Sequence, residues 1–244
     1  MIPADVARTL RVASFNIRLG IQQGLDALVP LIADMGPPDI LALQEVGHHW
    51  EMGPSGDTTD DLARRLGYRH HRFIPTIVRH TCAPMPARYG HALLSRWPIV
   101  PQEHTLLPRR DDEPRVLATS TIVHPDASLR FLTTHLSHLD SDRPAQGRVL
   151  ASRALQLASR FPTTFIVGDL NADGRRQSPQ WLRELKTRFI DADDLACRPT
   201  FPADDPRRRI DYILACGAHL DHVEVVAPRG ASDHRAVLSQ WSLP

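Results

Sequence analysis

The 244-residue chain holds no apolar run near the ~20 residues a membrane helix requires, so neither a transmembrane helix nor stable membrane insertion is expected. It has only three cysteines, Cys82, Cys197 and Cys216, an odd number without C-x-x-C spacing. That argues against a disulfide framework and against a thiolate zinc site, and the three read as plain thiols. Excess charge is missing too: 29 Lys and Arg stand against 28 Asp and Glu, so no global field draws the chain onto nucleic acid or anionic lipid. Aromatics make up 6%, and no basic stripe interleaved with stacking rings is visible. Repeats, low-complexity tracts and Gly/Ser linkers are absent, and the 21 prolines are scattered through short connections, so one domain over residues 1–244 is expected. The N-terminus, MIPADVARTLRVASFN, shows no basic flank followed by an apolar core; no secretion signal and a cytoplasmic location are the expectation.

What is present alternates between two periods. Strand-like segments fall at 9–17, 39–46, 90–96, 115–123, 129–136, 163–168, 209–215 and 233–241. Helical segments lie between them. In QSPQWLRELKTR, Ser178 is placed to cap, Pro179 takes the first helical position, and Trp181, Leu182 and Leu185 share a face. In the segment from Ser141 to Phe161, Asp142 is placed to cap, Pro144 starts the helix, and Val149, Leu150, Ala154 and Leu157 form the stripe. Weaker helices are expected at 25–35, where Pro30 is tolerable only near the first turn, and at 58–66, begun by Thr58 or Thr59. The interleaving indicates an α/β or α+β chain with mixed sheets.

Chemically capable side chains gather at strand ends. VASFN ends in Asn16, ILALQE in Gln44 and Glu45, FLTTH in His135, and TFIVGDLN in Asp169 and Asn171, two residues apart on one face of a strand. RIDYIL and SDHRAVL reverse the order, with Asp211, Asp233 and His234 near the start of their apolar runs. If those two strands run antiparallel to the others, all of these groups meet at one rim. Each residue alone reads as a turn, a cap or a structural histidine. A set of the same few types at six strand ends does not.

The ordered series SFN, LQEV, YGHALLSRWP, TTHLSH, GDLNA, TFP, RIDYIL and SDH, spanning residues 10–241, resembles the endonuclease/exonuclease/phosphatase superfamily, which includes nucleases like deoxyribonuclease I. The resemblance implies a four-layer α/β sandwich, two mixed β-sheets packed face to face with helices outside and the site at one rim. It implies a metal-dependent phosphoric ester hydrolase with Mg²⁺, Mn²⁺ being able to substitute. Asn16, Glu45 and Asp233 would then supply the oxygen ligands a hard cation prefers. Asp169 would orient or deprotonate the attacking water or hold a second metal, and Asn171 would donate to the phosphate. His234 paired with Asp211 would hold or protonate a phosphate oxygen. His135 would be a general acid toward the leaving group.

Arg115 matches a phosphate-reaching arginine, and His91 stands where many relatives carry Asn, so both are expected at the substrate. Val46 replaces the Lys usual in abasic-site endonucleases, which lowers that reading. His138 and the 48–49 and 70–71 pairs read as surface, as do Arg109–Arg110 and Arg175–Arg176. The D-x-H, GD-x-x-D and GNH motifs of calcineurin-like phosphoesterases are absent. A phosphodiesterase is the first expectation; a phosphomonoesterase, a sphingomyelinase-like headgroup hydrolase and an inactive binding scaffold are the alternatives. The expected partner is a phosphate ester from nucleic acid, a lipid headgroup or a small molecule, with no protein partner predicted.

Overall fold

The computed structural model describes residues 9–80, 82–175 and 178–244; the first eight residues of the N-terminal stretch and Arg176 of the 175–176 pair lie outside them. In chain order the elements are β1 (Thr9–Asn16), α1 (Gly24–Asp34), β2 (Ile40–His48), α2 (Thr58–Leu66), β3 (His70–Arg79), β4 (Ala87–Ser95), β5 (Ile99–Leu106), β6 (Val116–Val123), β7 (Ser128–His135), α3 (Arg143–Ala158), β8 (Thr163–Asp169), α4 (Gln180–Lys186), β9 (Ile190–Asp191), β10 (Asp211–Cys216), β11 (His219–Val226) and β12 (Ala236–Ser242). They form two six-stranded mixed sheets, ordered β11-β12-β1-β2-β4-β3 and β5-β6-β7-β8-β10-β9. The helices cover the outer faces, which makes the four-layer α/β sandwich. No helix among the described residues is long and apolar enough to cross a membrane.

The two-residue period of each strand sorts its side chains between the helices and the opposite sheet. In β1, Ala13 and Phe15 pack in the cluster of α1 and α2, while Leu10 and Val12 face the second sheet. In β8, Ile166 joins α3 and α4, whereas Phe165 and Val167 turn inward. The inner layer is anchored by rings: Phe131 stacks on Phe165 with centroids 4.8 Å apart, and Trp241 meets Phe165 edge-on at 5.6 Å. Truncating one such buried ring costs ~3–5 kcal/mol, so the sheets are held in one lateral alignment.

Strand direction brings the polar ends together. β1 and β2 are parallel, as are β7 and β8, and the registers Asn16↔Gln44 and His135↔Asp169 set their last residues side by side. β10 runs antiparallel to β8, pairing Asp211 with Asp169, and β12 runs antiparallel to β1. The chain passes between the sheets around residues 96–98 and 217–218. Ser95 pairs with Ile40 at the start of β2, and Cys216 with Thr164 at the start of β8, so both passages lie at the rim away from Asp169.

α2 begins at Thr58 as expected, and Asp57 caps it by accepting from the Asp60 N–H at 2.9 Å. Three other local expectations change. Pro179 is itself the cap of α4, not its first residue. Pro30 sits inside α1, where buried Leu25, Leu28, Leu31 and Ile32 outweigh its missing N–H. Asp142 makes no cap contact at α3; its carboxylate accepts instead from the backbone N–H groups of Arg110, Asp111 and Asp112 at 2.7, 3.2 and 2.9 Å.

Candidate active site

Asn16, His135, Asp169 and Asp211 carry the same inward parity as Val12, Phe131, Val167 and Ile213, so they face the seam between the sheets at one rim. Glu45 would have the parity of Leu41 and Leu43, toward the helices. A bulge between Leu43 and Val46, with Glu45 at φ 54°, re-aims it. Together these residues border a cleft of about 440 Å³ whose lining includes Glu45, Arg115, His135, Asp169, Asn171, Asp233 and His234.

A hydrogen-bonded chain crosses the seam. Asn16 Nδ2 donates to Glu45 Oε1 at 2.9 Å and lies 3.3 Å from Asp169 Oδ2, while its own Oδ1 accepts from the Arg18 N–H at 3.0 Å. Asn171 donates its backbone N–H to Asp169 Oδ1 at 2.9 Å and its Nδ2 to the Leu136 carbonyl at 2.9 Å. The two side chains therefore share the rim, with Asn171 pinned by its own turn. Ser232 Oγ donates to the Asn16 carbonyl at 2.7 Å and accepts from the His234 N–H at 3.1 Å, which fixes the SDH segment to β1.

The buried acids and imidazoles are strongly perturbed. Burial and the neighbouring Asp211 push the Asp169 carboxyl up to about 7, against the opposing pull of His234. Burial works against the His234 cation, but Asp211, 3.0 Å from Nδ1, with Asp169 beyond it, raises it to about 10. His135 is displaced the other way: burial first, then the Arg115 and His234 charges, hold it well below the ordinary imidazole value. Its Nε2 is 3.4 Å from Asp169 Oδ2. Held neutral, His135 would have to take up a proton before acting as the expected general acid, and its position beside Asp169 suits it to orient that carboxylate.

Asp169, Asp211 and His234 form a tight buried group of possible metal-binding side chains, all within 4.8 Å. With His234 protonated toward Asp211, that group is an ion-pair network better suited to protons than to a cation. The half-buried carboxylates of Glu45 and Asp233, facing the open cleft, fit a hard divalent ion better. Asp233 is also 3.4 Å from Arg18.

Other expectations are redistributed. Arg115 lines the cleft, 3.2 Å from Glu113 and 3.4 Å from Asp112. His91 does not line it: 2% exposed on β4, with both ring nitrogens unpartnered, it lies inside the sandwich, where burial and then His104 hold it down to about 3. Direct substrate contact by His91 is thereby corrected. His138 is exposed but on the cleft wall, 3.7 Å from Asp112, and His48 is buried against Thr59 and Phe73. Arg209 is buried in a bidentate pair with Asp191, while Arg208 lines the cleft over the Phe201 ring. Tyr89, Asp112 and Glu113 also line it; Tyr89 opens the YGHALL motif, whereas the only sequence signal for the two acids was proximity to Arg115.

A profile of the Endonuclease/Exonuclease/phosphatase family matches residues 13–234. The chain belongs to that family. Among solved structures it is similar to an endonuclease/exonuclease/phosphatase from Beutenbergia cavernae, at 26% identity and a TM-score of 0.77 over 97% of this chain and 72% of that one. The mannosyl-6-phosphatase of Bacteroides thetaiotaomicron aligns at 17% identity and 0.68, covering 96% and 100%. Sphingomyelinase C from Streptomyces griseocarneus aligns at 18% and 0.64, covering 95% and 99%. The family's two-sheet fold is thus shared with proteins named for different phosphate esters.

Proposed function

We propose that the chain is a Mg²⁺-dependent phosphoesterase acting first on phosphodiesters. The observation that carries the reading is Asp169 itself: a buried carboxylate at the cleft floor, raised toward neutrality and fixed by Asn16 and Asn171. Such a group takes a proton from a water approaching phosphorus near neutral pH. His234, kept protonated by Asp211 through Nδ1, presents its other ring nitrogen to a non-bridging phosphate oxygen. Arg115 adds a second cation at the cleft wall. Asn171 is the candidate amide donor, and His135 orients Asp169. Glu45 and Asp233, with Asn16 as their tether, are the residues that would hold Mg²⁺, or Mn²⁺ in its place; the ion, when bound, neutralises charge on the phosphate.

The test is hydrolysis of bis(4-nitrophenyl) phosphate with Mg²⁺, with Mn²⁺ and with EDTA, beside Asp169→Ala and His234→Ala. Metal-dependent turnover lost in both variants supports the reading. A folded protein that cleaves only 4-nitrophenyl phosphate would move it to the phosphomonoesterase alternative, and one inert to both esters would sink it.

A further inference from the structure

Beside the cleft lies a second, apolar groove of about 470 Å³, walled by Trp50, Arg79, Pro84, Met85 and Ala87. The two cavities share a partition. Tyr89 lines the cleft, and its ring stands 5.6 Å from that of Trp50 at an interplanar angle of 40°. Ala87 and Tyr89 are two residues apart in β4, on one face, so the groove continues the cleft along that strand. Trp50 follows two residues after the end of β2, the strand that carries Glu45.

The groove's surfaces suit a flat ring. The Arg79 guanidinium lies over the buried Trp50 ring, 4.6 Å from its centroid, and is held by Glu51 at 2.9 Å, a planar cation backed by an indole. Met85, half exposed at 51%, offers a polarizable thioether in the same groove. The indole-backed guanidinium and the thioether both gain from contact with a π-system; a saturated chain would gain burial alone.

We propose that this groove receives an aromatic ring carried by the substrate, so that the preferred substrate is a phosphodiester whose non-leaving arm crosses Tyr89 and ends in a planar ring. The proposal rests on the phosphoesterase reading of the cleft and names the substrate class that reading leaves open.

The test uses 4-nitrophenyl phosphates whose second ester is methyl, hexyl or 3-phenylpropyl. The 3-phenylpropyl ester is expected to show a KM about tenfold below the methyl ester, the scale of stacking one ring, with hexyl between them. Trp50→Ala and Met85→Glu should bring the ratio toward unity, while Trp50→Phe keeps it. Met85 is exposed, so its variant reads the groove without endangering the fold. Equal KM values for methyl and 3-phenylpropyl, or a ratio untouched by both variants, overturn the proposal. A hexyl ester as good as 3-phenylpropyl overturns the aromatic occupant. If no ester turns over, the phosphoesterase reading fails separately, and calorimetric titration with 3-phenylpropyl phosphate and methyl phosphate decides the groove. Tighter binding of the former that Met85→Glu removes supports it, and equal binding overturns it.

Discussion

His234 Nδ1 lies 3.0 Å from Asp211 Oδ2, a contact that joins the segment leading into β12 of one sheet to β10 of the other. The same nitrogen is 3.8 Å from Asp169 Oδ2, so one imidazolium answers to two carboxylates.

A bell-shaped pH dependence of kcat/KM follows. Activity should rise as Asp169 loses its proton near about 7 and fall as His234 loses its own near about 10, with bound metal drawing the acid limb lower. Asp211 raises both groups, so Asp211→Asn should move both limbs toward acid. Limbs that stay in place would show that the pair is not coupled through Asp211.

Asp169 also costs stability. Its folded value is raised above the ordinary 3.8, so the cost grows as pH rises through that range and is fully present above about 7. In the metal-free protein, Asp169→Asn should therefore be more stable than wild type above pH 7, on the order of 1–3 kcal/mol, while losing activity. Denaturant midpoints at acid and alkaline pH check it; no gain at the alkaline end counts against the burial argument.

His91 acts in the opposite direction. Its ring is held down to about 3 against an ordinary 6.5, so below pH 6.5 the unfolded chain takes up a proton the folded one refuses. Stability should fall by about 1.4 kcal/mol per pH unit from this group until its folded value is reached. His91→Phe, which also removes two unpartnered nitrogens, should flatten that acid slope. An unchanged slope would mean that His91 is protonated in the fold.

Asp142 holds the wall that carries Asp112, Glu113 and Arg115 by accepting three backbone N–H groups. Asp142→Ala should lower the melting temperature and raise KM more than it lowers kcat, with Asp142→Asn intermediate. A KM identical to wild type would show that the wall holds without the clamp.

Mg²⁺ should raise the melting temperature of the wild type in proportion to the logarithm of its concentration above Kd, and EDTA should reverse the shift. In Glu45→Gln the shift should largely vanish. A full shift in that variant would take Glu45 out of the ligand set.

The eight strands legible in the sequence are the eight interior strands of the two sheets, and the four that were not assigned are their edges. β5 is exposed along most of its length, β11 has no fully buried residue and β3 has one, so none shows the clean burial alternation of a strand with two neighbours. The catalytic candidates were legible because a carboxylate or imidazole ending a buried run interrupts a strong pattern. Asp112, Glu113, Arg208 and His138 were not, because their place on the cleft is made by loops whose composition resembles any solvated turn.

Both passages of the chain between the sheets lie at the far rim, so the two halves are hinged at the back and meet at the cleft as a mouth does. The jaws are closed there by the side-chain contacts of Asn16 with Asp169 and of His234 with Asp211, and by two backbone bonds, from the Ala203 N–H to the Asp233 carbonyl at 2.7 Å and from the Arg235 N–H to the Thr200 carbonyl at 2.8 Å. The cleft is therefore the end of the sandwich at which a small splaying of the layers would be felt first, and catalytic output becomes a gauge of how far the mouth stands open.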